Sequence, residues 1–305
     1  MKWLYRVSIR RLFANVDQFH KYNMNKQAFY AALAANNLDH HNTHFEPLMK
    51  DTIRYNLTFI ADYNDVLPGS SRIGGTPDLP EDIKWPTDNQ GNYLSFIAQL
   101  SMKEIKPFDT YHVLPDTGYL FFFYDANQGM GGYSLEEKHL FKVIYYDGAE
   151  QDLRFPDFPE SMEENARYSP CALSYETQVS MPYKWGKAFS FLTSEERDVY
   201  GQRVWKDIEI NKTLGHADIL QGEMEEFCQI VTNEEFTGDF NKFMTPEYAA
   251  LRADAKDWLL LLQVDSNQEK NFMMWGDLGR LYFWIRKQDL QKKNFDNCWC
   301  VLQDL

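Results

Sequence analysis

Ser95-Phe-Ile-Ala-Gln-Leu-Ser101 leads through a polar stretch to Asp116-Thr-Gly-Tyr-Leu-Phe-Phe-Phe123, and Leu260-Leu-Leu-Gln-Val-Asp265 leads in the same way to Asp277-Leu-Gly-Arg-Leu-Tyr-Phe-Trp284. In both places an apolar run carrying a glutamine precedes an Asp-x-Gly-x-Leu turn and an aromatic strand. Gln99 stands 19 residues before Gly118, and Gln263 stands 16 before Gly279. Asp starts turns, Gly permits positive φ, and the aromatics that follow suit a buried pleated surface. The two stretches read as copies of one strand-turn-strand unit. Gly118 and Gly279 are therefore expected to be structural. Gln99 and Gln263, set among apolar neighbours, are expected to hydrogen-bond backbone across the interface between the halves.

Working outward, the texture before these copies is different. Gln18 to Asn37 carries Phe19, Tyr22, Phe29, Leu33 and a run of alanines without Pro or Gly, which predicts a helix ending near Asn36-Asn37. Trp3, Leu4, Val7, Leu12, Phe13 and Val16 recur near helical spacing and predict an amphipathic helix docked on the domain. The apolar residues there never run together into a signal-peptide core, so no export signal is expected. From Leu67 onward Pro and Gly punctuate short apolar runs, the pattern of strands joined by turns. Ser194 and Thr245 are expected to cap short peripheral helices. The expected fold is α+β and mainly β: two pseudo-twofold-related β-rich repeats (about 65–150 and 205–305) in one domain over 59–305, preceded by a helical segment over 1–58.

Forty-five acidic against 31 basic residues leave a net charge of −14 in 305 residues. That charge repels phosphate backbones and anionic membrane surfaces, so neither nucleic acid nor a membrane is an expected partner, whereas a basic protein would be attracted. Four cysteines are too sparse to staple a chain of this size, which points to a reducing, cytoplasmic setting. Cys298-x-Cys300 has no second pair at ligand-like distance and fits a terminal strand.

The segments Arg72-Ile-Gly-Gly-Thr-Pro-Asp-Leu-Pro80, Trp85-Pro86, Phe96-Ile-Ala-Gln-Leu100 and Leu114-Pro-Asp-Thr-Gly-Tyr-Leu-Phe-Phe-Phe-Tyr-Asp125 resemble the YwqG-like family, a bacterial family of unknown function. Leu214-Gly-His-Ala-Asp-Ile-Leu-Gln221, Leu259-Leu-Leu-Leu-Gln-Val-Asp265 and Trp275-Gly-Asp-Leu-Gly-Arg-Leu-Tyr-Phe-Trp-Ile285 resemble its second half. One departure is Gly215-His-Ala-Asp218, where the family usually shows a Gly-Gly-Tyr-Pro-like stretch. The resemblance implies a mainly β, pseudo-twofold domain with no catalytic residues to carry over. It also implies, through members similar to proteins encoded beside bacterial toxins, a protein that neutralises a toxin.

Candidate sites follow from residue chemistry. Gly74-Gly75-Thr76-Pro77 could cradle an anion through backbone N–H groups, but it lacks the lysine and helix of a phosphate loop, and Asp78 stands beside it. His40, His41 and His44 are the densest histidine cluster. A helix there would set His40 and His44 at a spacing able to hold zinc, but His41 stands where a zincin glutamate would, and the asparagine-rich surroundings read as a loop with solvated rings, so no metal or cofactor is expected. No Gly-x-Ser-x-Gly elbow occurs. Trp85, Trp275 and Trp284 flank the turns and could anchor a partner, with Asp78 and Asp277 beside them. The expected function is a non-enzymatic protein-binding module, an immunity-type partner occluding a basic toxin. The alternative is a small-ligand binder or enzyme using the cleft between the repeats, lined by Gln99, Gln263 and His216.

Overall fold

Several of the long strands are buried on both faces. In Tyr119-Leu-Phe-Phe-Phe-Tyr124 the even-numbered residues Leu120, Phe122 and Tyr124 enter one apolar core, and the odd-numbered Tyr119, Phe121 and Phe123 enter a second on the opposite face. Such a strand has no solvent side, which explains its uninterrupted aromatic sequence. The computed structural model describes residues 24–125, 127–129, 131–183, 186–205, 210–233 and 245–305. The helix expected over Met1 to Val16 lies outside them.

Twelve strands are formed among the described residues: β1 (Lys50–Phe59), β2 (Arg72–Ile73), β3 (Leu79–Pro80), β4 (Ser95–Ser101), β5 (Tyr119–Tyr124), β6 (Phe141–Tyr146), β7 (Leu153–Arg154), β8 (Cys171–Ser180), β9 (Asn211–Thr213), β10 (Trp258–Asp265), β11 (Arg280–Arg286) and β12 (Trp299–Gln303). Ten of them make one sheet in the order β12-β11-β10-β9-β1-β8-β2-β4-β5-β6, and β3 pairs with β7. The pairings are antiparallel.

The sheet curls until its edge strands nearly meet. Trp299 Nε1 donates to the Gly132 carbonyl at 3.0 Å, Leu302 N donates to the Gly131 carbonyl at 3.3 Å, and the Phe141 and Trp299 rings lie edge-on at 5.5 Å. Inside the curl, Phe122 of β5 touches Phe283 of β11 with ring centroids 5.1 Å apart, so residues far apart in sequence share one core.

β1 corrects the sequence reading. The helical segment expected over 1–58 ends before residue 50, because Ile53, Tyr55 and Leu57 alternate with Thr52, Arg54 and Asn56, a period of two that a helix cannot bury on one face. β1 pairs along its whole length with β8, from Lys50 opposite Ser180 to Phe59 opposite Cys171.

Of the helix expected over Gln18 to Asn37, residues 18–23 lie outside the described residues, and among those described the helix preceding β1, α1 (Lys26–Ala35), begins only after Asn25. It starts where the Asn25 side chain accepts from Ala28 N, and it stops at Asn36, followed by Asn37 in the left-handed region at φ 58°. Phe29 and Leu33 pack with Phe45, Phe189, Tyr200 and Val204 in a separate apolar cluster that also includes Val179 of β8. A second helix, α2 (Ser194–Val199), is capped by Thr193 rather than Ser194. Thr193 forms a capping box with Glu196, one residue earlier than expected, because the box needs the acid three positions on. α2 runs into a π turn over Tyr200–Val204. No helix among the described residues is long and apolar enough to cross a membrane.

Candidate functional site

Two buried networks combine a cation, a carboxylate and an amide, one around Gln99 and one around Gln263. In the first, Arg72 on β2, Asp78 and Gln99 on β4 are fully buried. The Arg72 guanidinium meets the Asp78 carboxylate at 2.5 and 3.0 Å and donates to the carbonyls of Thr76 and Ser70, so all five of its N–H groups are engaged. Phe155 lies over its outer face at 5.2 Å. Gln99 Oε1 accepts from Asp78 N at 2.8 Å, and its Nε2 donates to Asp78 Oδ2 and the Ser70 carbonyl. Gly74 and Gly75 form the bend between the charges at φ 76° and 80°. A Cβ on Gly74 would come within 2.2 Å of the Ser169 carbonyl oxygen, so Gly74 is required by close backbone approach and Gly75 is favoured by its left-handed φ.

In the second network Lys212 on β9 meets Asp218 Oδ2 at 2.5 Å. Gln263 Oε1 accepts from Asp218 N at 2.9 Å, and its Nε2 donates to Asp218 Oδ2 and the Ile210 carbonyl. Leu214 and Gly215 take up the positive φ of the bend, at 63° and 73°. Each glutamine thus reaches backbone of its own segment, not backbone across the two halves. Arg280 Nη1 and the Tyr282 hydroxyl also donate to the Asp218 carbonyl. Burial pushes the Asp218 carboxyl up, but Lys212 and Arg280 outweigh it and hold the group below the usual carboxylate range. Burial lowers the Lys212 ammonium more than Asp218 restores it, with Arg280 and Arg54 adding repulsion.

The two cations differ in what lies beyond them. Lys212 borders a cavity of about 120 Å³ between the sheet and α1. Thr52, Gln178, Lys212 and Asp218 present polar groups to it from the sheet, and Ala28, Ala32, Val204 and Trp205 supply apolar lining. The ammonium carries three N–H donors, and Asp218 is its one partner among the described residues. The arrangement can hold a small molecule by its acceptor end while an apolar wall receives the rest.

The remaining candidates from sequence lie elsewhere. His216 borders a more open groove of about 300 Å³ with Lys50, Glu223 and Glu225. Its Nε2 lies 2.9 Å from the Leu48 carbonyl, and burial, with Lys50 nearby, pushes its pKa down to about 3. Trp85 is half-buried against Phe123 and Phe158, its Nε1 donating to Leu94 O. Trp275 is fully buried between Tyr124 and Tyr168, and Asp277 is exposed. The structure therefore joins Gly74, Gly75, Asp78 and Gln99 in one network and places Gln263 in the other. Trp85, Trp275 and Asp277 stand apart from both.

Gly118 holds φ at 89°, whereas at the later Asp277-Leu-Gly turn Leu278 takes the left-handed conformation and Gly279 is fixed by the Gln303 carbonyl, 2.3 Å from where its Cβ would be. Cys298 and Cys300 are buried, and burial pushes both thiols up. His40 and His41, expected as solvated loop histidines, turn onto Glu196, and His44 stacks on Phe191 at 4.9 Å.

Sequence reasoning missed Arg72, Lys212 and Asp218 as site residues. The sequence carried one signal, that Arg72 and Lys212 each precede an aspartate by six positions; that Arg72 lies opposite Gln99 and Lys212 opposite Gln263 is visible only in the sheet.

A family model described as "Domain of unknown function (DUF1963)" matches residues 71–303, and the chain belongs to that family. No curated protein matches the chain.

Proposed function

We propose that this protein binds a small ligand in the cavity beneath α1. The ligand has an apolar body and an acceptor end, a carboxylate or carbonyl, that meets Lys212. The observation that carries this reading is the Lys212 ammonium, which is buried at a cavity wall with Asp218 as its one partner among the described residues. Taking an ion pair out of water costs several kcal/mol per charge, and full hydrogen bonding is what offsets it. Arg72 has that full set and closes on itself, whereas Lys212 keeps donors that a ligand in the cavity would engage. A dry cavity of about 150 Å³ holds a benzene ring, so this one suits a single ring or a short branched chain.

The two networks are further read as an internal pseudo-twofold repeat of YwqG-like type. Three features support that reading: the matched pairs of positive φ, a bulge two residues before each glutamine, and a strand order mirrored about the β1–β8 pair.

A basic protein partner in the cytoplasm, of which an immunity-type role is one form, is the second reading. It is favoured by the net charge of −14. Native mass spectrometry of gently purified protein tests between them. A small adduct lost on denaturation, and missing from Lys212→Met, is the expected result. A co-purifying basic protein with no small adduct would transfer the assignment to the second reading.

A further inference from the structure

We propose that His40, His41 and Glu196 form a binding site for a zinc-class divalent cation. The site is separate from the cavity and does not depend on what the cavity holds. His40 Nε2 lies 3.2 Å and His41 Nε2 3.1 Å from the same carboxylate oxygen, Glu196 Oε1, and the three donor atoms all lie within 4.8 Å of one another. Two bonds of 2.0–2.1 Å at a tetrahedral angle place their ligand atoms about 3.3 Å apart. The two histidine-to-carboxylate separations already match that spacing, and the third lies within 4.8 Å.

The donors are held from behind. Glu196 Oε2 accepts from Thr193 N at 2.9 Å, and Thr193 Oγ1 accepts from Glu196 N at 3.2 Å, so the capping box at the start of α2 fixes the carboxylate and leaves Oε1 for a cation. The His41 ring is lodged between His40, at 4.0 Å, and Phe191, at 5.3 Å, and its side chain is 14% exposed. His40 is 58% exposed, which leaves the outer side of the site open to water as a fourth ligand. Two imidazoles and one carboxylate select Zn²⁺ or Co²⁺ over Mg²⁺ and Ca²⁺, which prefer oxygen-only shells.

A cation here ties the turn after α1 (Asp39–His41) to α2, some 155 residues away in sequence. α1 and the π turn that continues α2 both line the cavity through Ala28, Ala32 and Val204, so the metal would brace two of its walls.

Isothermal titration of chelator-treated full-length protein with Zn²⁺, alongside the absorption spectrum with Co²⁺, tests the site. One Zn²⁺ per chain, an intense tetrahedral Co²⁺ band, and no response to Mg²⁺ are expected. His40→Ala and Glu196→Gln should weaken Zn²⁺ binding at least tenfold. His40 is exposed and glutamine also completes a capping box, so both variants should keep wild-type circular dichroism. Absence of stoichiometric Zn²⁺ binding, or equal affinity in His40→Ala, would overturn the proposal and leave the two rings as hydrogen-bond partners of the carboxylate. Neither result bears on ligand binding at Lys212, which is read separately.

Discussion

Lys212 stands opposite Gln263 across β9 and β10 as Arg72 stands opposite Gln99 across β2 and β4, and each cation meets the aspartate six residues on. The likeness of the two settings makes their difference informative. Arg72 is enclosed, with its fork filled by Asp78, Thr76 and Ser70, while Lys212 borders open volume. The first network is a structural rivet, and the second is the same device with a free side.

Removing the carboxylate from the closed network should be costly. Asp78→Ala leaves Arg72 charged and buried, and it also strips the acceptor from Gly69 N and Gln99 Nε2. A loss of about 3–5 kcal/mol is expected from urea unfolding. The double variant Arg72→Met/Asp78→Leu, which leaves no uncompensated charge, should recover a large part of it. A loss below about 1 kcal/mol for Asp78→Ala would mean that water reaches the pair.

Acid should act through His216. Its folded pKa of about 3 lies below the ordinary value of 6.5, so the unfolded chain binds a proton between those values that the folded chain does not. The histidine's contribution is fully present above pH 6.5 and is lost as the pH falls toward 3, with a limiting slope of about 1.4 kcal/mol per pH unit. His216→Gln keeps an N–H for the Leu48 carbonyl but does not titrate, and its stability should fall less steeply over that window. Parallel profiles for the two proteins would count against a buried neutral imidazole.

Closure of the sheet rests on the glycine loop at residues 131 and 132. Gly132 has φ 88°, and a Cβ there would come within 2.4 Å of the Cys300 carbonyl oxygen. Gly132→Ala is expected to cost about 2 kcal/mol or more, combining backbone strain with displacement of the loop from β12. Hydrogen exchange should show faster amide exchange in β12 than in β1. A variant as stable as wild type with β12 equally protected would show that the loop does not hold the edges together.

The strand-rich body was legible because aromatic runs such as Tyr119–Tyr124, bounded by Asp and Gly, have few other ways to be buried. The end of α1 at Asn36-Asn37 was legible because asparagine tolerates the left-handed region. β1 was harder to read, since its alternation begins soon after a helical stretch and Pro47 is the one breaker that marks the change. The buried position of Gln99 and Gln263 could be read from their apolar neighbours, but their partners Asp78 and Asp218 could not, because charge pairing is set by register between distant strands. The cavity was least legible of all. Ala28 and Ala32 read as ordinary helix formers, and the space they leave exists only once α1 lies over Lys212.

The most direct test of the ligand-binding account is saturation-transfer NMR with isobutyrate and benzoate on wild-type protein and Lys212→Met. The account predicts saturable transfer to the apolar protons of at least one of them in the wild type, and its loss in Lys212→Met with the fold intact by circular dichroism. No transfer from either acid to wild-type protein, or equal transfer in the variant, would contradict the assignment of Lys212 and its cavity as the ligand site.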